Sequence, residues 1–346
     1  MNHQVLPGSQ FEAQTISVII VNYNGLQWLR ACLDSVVEQQ ITLNLCLEII
    51  VIDNGSSDSS ASFVRNTFPN VTIYELEFNS GFAAACAYGI DHSSGEFAVF
   101  LNNDTIVPPG TFLQLLEELS RRGLDAIAAI EVPYSGGSSD LARTTIDVTG
   151  FPVHLAHGEW FSKGESFFLS AVCLLFRKSM YLSSGGFDTN FFMYFEDIDW
   201  FWRLQLLGIN FDYSKYSVVR HAGHGSSGGD KLNYNRFLWR NINLPKMLFK
   251  NLRLVNLLWI LPIYMIVYFL EYLVLLLFAR RDLAKSYISA ISKVRADLPI
   301  VLAKRRVIQG SRVVGDARIL AKLYPGYGKA RNLRHRLSRR IHMYRS

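Results

Sequence analysis

Cysteine is scarce in this chain, four residues of 346, and Cys32, Cys46, Cys86 and Cys173 show no Cys-x-x-Cys spacing. Each sits among apolar neighbours, which argues against a disulfide framework or a thiolate metal site and for buried thiols in a reducing compartment. The N-terminus lacks a basic region followed by an apolar run, so no signal peptide is expected. Acidic side chains nearly disappear from one part of the sequence: from Arg280 onward there are 3 Asp/Glu against 18 Lys/Arg. The first 279 residues therefore hold 26 acidic and 17 basic side chains, so the overall charge of +6 conceals an acidic body with a basic tail. Such a tail suits an anionic partner. Charge of either sign is almost missing from 254–279, 26 residues in which Glu271 is the one charge and Pro262 the one proline.

Apolar residues are plentiful. At 49% hydrophobic the chain is excluded from the disordered class, and its length allows two domains or one large domain with an appendage. Residues 1–15 are polar and expected to be flexible. Short β-branched runs at 17–21, 47–52, 71–76 and 97–101 alternate with helical patterns at 26–39, from Ser57 to Phe68, and at 81–90. Continuous apolar strands alternating with helices predict a parallel sheet covered on both faces. Ligands bind such a sheet beyond the carboxyl ends of its strands. Asn22-Tyr23-Asn24, Asp53-Asn54 and Asn102-Asn103-Asp104 all fall at such ends. Further on, 136–139 reads as a mobile loop, 167–176 as a strand, 178–184 and 196–207 as helices, and 222–229 as a Gly-rich turn.

The apolar segment 254–279 is long enough to cross a bilayer, with Lys246, Lys250 and Arg253 before it and Arg280 and Arg281 after. A single span would put one basic flank outside, whereas a Pro-broken re-entrant hairpin or a partly embedded helix pair keeps both on the cytoplasmic face. A buried soluble helix is the plainer alternative. Beyond it, Leu, Ile and Val recur at helical spacing among the basic residues, as expected of amphipathic helices on anionic lipid. Nucleic acid is the competing partner, and the adjoining apolar segment favours the membrane surface over it.

The densest chemistry lies at Phe192-Met193-Tyr194-Phe195-Glu196-Asp197-Ile198-Asp199, three carboxylates within four positions of an aromatic stretch. Charge removed from water is costly unless paired or used, so this is a place where protons or cations are handled. Three more tracts join it: Asp53-Asn54-Gly55-Ser56-Ser57-Asp58 after a strand, Asn79-Ser80-Gly81-Phe82 opening a helix, and Leu101-Asn102-Asn103-Asp104 ending a strand. Gly185-Gly186-Phe187-Asp188 precedes the acidic cluster. In this order and spacing, over roughly residues 15–230, the chain resembles the family 2 inverting glycosyltransferases, and within them the rhamnosyltransferase-like branch.

The resemblance implies an α/β fold of the GT-A type, a mostly parallel sheet flanked by helices, followed by a C-terminal membrane-associating helical region. It implies transfer of a sugar from a UDP- or dTDP-linked donor to a hydroxyl of a glycan or lipid-linked acceptor, and a divalent cation, Mn²⁺ or Mg²⁺. Asp53 and Asn54 are the candidates for a pyrimidine edge, with Tyr23 on the ring; Asp53 also suits a turn or helix cap, and the two roles are compatible. Gly81, opening a helix, either lets a phosphate or sugar approach the backbone or is a plain helix start. Asn102 and Asn103 complete the donor edge. Asp104 matches the last position of the family's metal-binding Asp-x-Asp tract, and Asn102, where the family has its first acid, lowers the charge of the site. His221 stands where the family often has a metal-approaching histidine; a solvated loop histidine is the alternative for it and for His224.

Asp197 is the expected general base, kept ionised by the helix N-terminus, with Glu196 orienting the acceptor or the base. Arg203 resembles an arginine that helps hold the diphosphate, while its i,i+4 spacing from Asp199 equally suits a structural pair. Trp200, Phe201 and Trp202 are either core or a sugar platform. The glycines of 222–230 suit a lid. The expected division is a flexible N-terminus over 1–15, a GT-A domain over 16–243, a hydrophobic membrane-associating segment over 244–281 and a basic amphipathic tail over 282–346, at the cytoplasmic face of the cell membrane. Two rival functions are a membrane-anchored nucleotide-sugar-binding scaffold without turnover and a sugar nucleotidyltransferase. Asp104 and Asp197 argue against the first, and the missing Gly-rich basic loop after the first strand argues against the second.

Overall fold

The computed structural model describes residues 15–43, 46–139, 141–159, 164–223 and 234–331. His224, most of the expected glycine lid, all but the last residue of the N-terminal segment and the end of the basic tail lie outside the described residues. Along the chain, β1 (Thr15–Asn22), α1 (Leu26–Leu43), β2 (Cys46–Asp53), α2 (Ser60–Thr67), β3 (Thr72–Glu75), α3 (Phe82–Asp91) and β4 (Phe97–Asn102) alternate strictly. Next come β5 (Thr105–Ile106), α4 (Thr111–Arg122), β6 (Ala126–Pro133), β7 (Leu141–Ile146), β8 (Pro152–Ala156) and β9 (Cys173–Arg177). They are followed by α5 (Lys178–Ser183), α6 (Glu196–Leu206) and β10 (Phe211–His221). The remainder is helical: α7 (Tyr234–Asn251), α8 (Leu254–Leu277), α9 (Arg281–Ala296), α10 (Leu298–Ser311) and α11 (Asp316–Leu320). By the density of their contacts these elements fall into two units that interleave along the sequence.

The first unit takes Met1–Ser139, Ser170–Phe192 and Asn210–Asp230. Its eight-stranded sheet has the order β3-β2-β1-β4-β9-β6-β10-β5. The strands β3, β2, β1 and β4 run parallel, β9 is antiparallel to both its neighbours, β10 is parallel to β6, and β5 closes the edge antiparallel to β10. The apolar runs are continuous because both faces are covered: Ile16, Val18 and Ile20 are fully buried, and so is Ile19 between them. Parallel register sets Asn22 opposite Asp53 and Val21 opposite Asn102, so the polar strand ends do meet at one edge.

The second unit takes Asp140–Leu169, Met193–Ile209 and Lys231–Ser346, with the β7–β8 hairpin, α6 and the C-terminal helices. The expected strand over 167–176 is shorter than its apolar run. Only Cys173–Arg177 joins the sheet, whereas Phe167 donates its N–H to the Thr144 carbonyl at 2.7 Å in the second unit. The run is unbroken because both halves are buried, each in its own surroundings. Trp200, Phe201 and Trp202 are at most 1% exposed, which makes them core and removes the sugar-platform option.

One helix among the described residues, α8, is long and apolar enough to cross a membrane. The break expected at Pro262 does not occur; the helix continues through it. Proline deprives the Leu258 carbonyl of its helical donor, and both residues lie on the exposed side, where the loss strains no packed neighbour.

Candidate active site

At the strand-end edge of the first unit, Asp53 is 3% exposed and already engaged. Its Oδ1 accepts from Asn22 Nδ2 at 2.9 Å and from the Ser56 hydroxyl at 2.6 Å, and its Oδ2 accepts from the Ser56 N–H at 3.1 Å. The turn role foreseen for it is therefore real. Asn103 donates to Asn22 Oδ1 at 2.7 Å, and a Cβ on Gly25 would meet Asn103 Nδ2 at 2.1 Å. Only glycine lets this asparagine pair close. Asn54 accepts from the Ser80 N–H and hydroxyl, both at 2.9 Å, and donates to Asn79 Oδ1 and to the Gly81 carbonyl. It binds the strand end to the loop that opens α3.

Gly81 has φ +88, and a Cβ there would lie 2.3 Å from the Phe192 carbonyl oxygen. That oxygen accepts from the Phe82 N–H at 2.7 Å, and Asn79 Oδ1 accepts from the Gly81 N–H at 3.0 Å. The glycine is needed by the chain itself, because Phe192 occupies the close approach. Tyr23, half-buried, follows β1 directly. Phe187, of the Gly-Gly-Phe-Asp tract, packs its ring at a tilt against Phe82 and Phe100 in this unit.

The antiparallel pairing of β5 with the end of β10 sets His221 opposite Thr105 and so beside Asp104. His221 Nε2 lies 3.1 Å from Asp104 Oδ1, and Nδ1 lies 2.9 Å from Glu131 Oε2 on β6. Asn102 Nδ2 is 3.4 Å from Nε2. Burial opposes the imidazolium, but the hydrogen bonds to Asp104 and Glu131 and their charges outweigh it and push the pKa up to about 10. Asp104 and Glu131 thus create a demand for positive charge at this point, which a proton on His221 or a metal ion bound in its place can meet. Among the described residues no three His, Cys, Asp or Glu side chains are grouped to hold a metal ion. The donors present fit a hard divalent cation that takes one carboxylate and one imidazole from the protein and its other ligands from phosphate and water. Glu131 on the far ring nitrogen is the second-layer carboxylate that such a histidine needs.

In the second unit, Tyr194 and Phe195 have φ +68 and +72, two consecutive non-glycine residues in the left-handed region just before α6. Such strain persists only where the surroundings impose it. Asn243 of α7 imposes it here, donating Nδ2 to the Met193 and Tyr194 carbonyls, both at 2.9 Å. The turn delivers Glu196 and Asp197 to the first positions of α6. Glu196 is 8% exposed, its Oε2 has no hydrogen-bond partner, and burial followed by the neighbouring Asp197 charge pushes its pKa up to about 8. Asp197 is half-buried and accepts from the Ile198 N–H at 2.7 Å. Asp199 is fully buried and receives Arg203 Nε at 3.0 Å, Lys250 Nζ at 3.1 Å and Asn251 Nδ2 at 3.0 Å. Arg203 is thus in the structural pair that its spacing allowed.

Residues 17–183 match the model of glycosyl transferase family 2. This segment is similar to the family 2 glycosyltransferases. It is similar to O-antigen biosynthesis protein RfbC of Myxococcus xanthus, 23% identical over 63% of this chain and 18% of that protein. It is also similar to poly-beta-1,6-N-acetyl-D-glucosamine synthase of Staphylococcus epidermidis, 27% identical over 61% of this chain and 50% of that protein. The chain therefore spans a fifth to a half of the length of these relatives. Among solved structures, GalNAc-T7 with UDP, GalNAc and Mn²⁺ superposes with a TM-score of 0.56 at 16% identity, over 68% of this chain and 48% of that one. This likeness is one of fold, and the fold is of the GT-A type.

Two participants escaped the sequence reading. Glu131 sits in an apolar strand, Ala-Ile-Glu-Val-Pro, and a lone acid inside a buried run was the signal available for it. Asn243 lies in a helix fifty residues beyond the turn it holds, and nothing in its neighbourhood marks it.

Proposed function

We propose that the chain is an inverting glycosyltransferase that moves a sugar from a UDP- or dTDP-linked donor to a hydroxyl of a glycan or lipid-linked acceptor at the cytoplasmic face of the cell membrane. The observation that carries the reading is the Asp104–His221–Glu131 relay at the strand-end edge of a GT-A sheet. Relatives named for O-antigen and poly-N-acetylglucosamine synthesis support a polysaccharide acceptor, with rhamnose as the sugar that the motif tracts favour. Tyr23 and Asp53 face the nucleotide base, with Asn54, Gly81 and Asn103 shaping the loops around it. Asn102 borders the diphosphate, and Arg203 anchors α6 for the same step. Asp104 and His221 hold Mn²⁺ or Mg²⁺, and a bound ion supplies the positive charge that stabilises the leaving diphosphate.

Asp197 takes the acceptor proton as the hydroxyl oxygen attacks the anomeric carbon from the face opposite the departing diphosphate. Glu196, held protonated by its burial, donates a hydrogen bond that orients the acceptor. The α8 segment keeps the enzyme at the membrane, where a lipid-linked acceptor resides. Thermal stabilisation by a panel of nucleotide sugars, each with and without Mn²⁺, tests the reading. One uridine or deoxythymidine diphosphate sugar should raise Tm in a Mn²⁺-dependent way, and indifference to every donor would overturn it.

A further inference from the structure

We infer that α8 lies flat in one leaflet of an anionic bilayer and does not cross it, with α9 resting beside it in the headgroup layer. The inference rests on the membrane attachment proposed above and specifies its geometry. The buried residues of α8, Leu257, Ile260, Tyr264 and Tyr268, follow a spacing of three and four and form one strip along the helix. That strip is lined by polar partners from end to end. Near the N-terminus, Asp316 accepts from the Arg253 N–H at 2.8 Å and from Asn256 Nδ2 at 2.6 Å. In the middle, the Tyr268 hydroxyl donates to the Tyr287 carbonyl at 2.7 Å. Near the C-terminus, Glu271 receives the Tyr287 hydroxyl at 2.8 Å, Lys329 Nζ at 2.7 and 2.6 Å, and the Tyr327 hydroxyl.

Asn256 and Glu271 are fifteen residues apart, roughly 22 Å along a helix axis at 1.5 Å per residue. A spanning α8 would carry this whole row of polar groups through hydrocarbon, together with Lys285 of α9, two residues from the Tyr287 that packs on Tyr268. Charges at the bilayer centre are strongly disfavoured. Laid flat, the helix keeps the row toward water. Its other side is apolar and open: Leu258, Trp259, Ile266, Phe269, Leu270 and Leu277 are 44–82% exposed. On α9, exposed Arg281, Lys285 and Arg295 recur with Ile288 at helical spacing, a basic stripe complementary to anionic headgroups.

The test uses the full chain, with Cys46 replaced by serine and single nitroxide labels at Leu258, Ile266 and Leu277. The vesicles are phosphatidylcholine with and without phosphatidylserine. The expected result is binding that depends on phosphatidylserine, with all three labels at one shallow depth and reached from the outer face. Arg281→Glu with Lys285→Glu should weaken that binding roughly tenfold or more. A label deep at Ile266, with Leu258 and Leu277 reached from opposite faces, would overturn the flat arrangement and leave membrane attachment standing. Failure to bind either vesicle would overturn both, while Mn²⁺-dependent donor binding would remain as a separate readout of the catalytic reading.

Discussion

At the scale of single residues, the protein sorts its carboxylates by what surrounds them. Asp104 is opposed by His221, Asp199 by two buried cations, and Glu196 only by a backbone hydrogen bond that burial and the Asp197 charge outweigh. Because the folded-state pKa of Glu196 is raised to about 8 from 4.5, the folded form binds the extra proton between those values. Stability contributed by this group is therefore full below pH 4.5 and is lost as the pH rises toward 8. Glu196→Gln removes that loss. Its unfolding free energy relative to the parent should rise between pH 5 and 8 by on the order of 3 kcal/mol, measured by denaturant titration at each pH. A gap that stays constant with pH would contradict the raised pKa. Glu131→Gln tests the relay on the other side of the chemistry. Without its carboxylate, Mn²⁺ affinity measured by calorimetry should fall about 10–100-fold. Nucleotide binding in the absence of metal should stay unchanged.

At the scale of elements, the alternating strands and helices of the first hundred residues were legible because continuous apolar runs and turn residues mark a parallel sheet without ambiguity. So was the edge at which Asn22, Asp53 and Asn102 meet, since parallel register follows from strand order. Legibility failed where one run served two surroundings, as at 167–176, and where a proline suggested a break in α8 that a long apolar helix absorbs. It failed again at long range: the turn at Tyr194–Phe195 depends on Asn243, and the orientation of His221 on Glu131, partners no local pattern announces. The loop opening α3 shows how tightly local chemistry is set. Gly81→Ala must place a methyl against the Phe192 carbonyl at positive φ, so it should cost about 2 kcal/mol or more in unfolding free energy. Gly123→Ala, also at positive φ but with open space around it, should cost less.

At the scale of the whole molecule, the charge asymmetry read from composition takes on structural meaning. The acidic body contains the GT-A sheet, and among the described residues the basic side chains after Arg280 include those of α9, α10 and α11, which follow the exposed apolar helix α8. The two contact units interleave, so sequence position alone did not reveal that α6, with Asp197, groups with the C-terminal helices while Asp104 and His221 group with the sheet. The central claim is that these carboxylates divide one reaction, Asp104 serving the donor and Asp197 the acceptor. It is tested most directly by Asp197→Asn, assayed for sugar transfer and, on the same preparation, for Mn²⁺-dependent donor binding. Loss of transfer by about 10²–10⁴-fold with donor affinity unchanged is the expected result. Transfer within a few-fold of the parent protein would contradict the account.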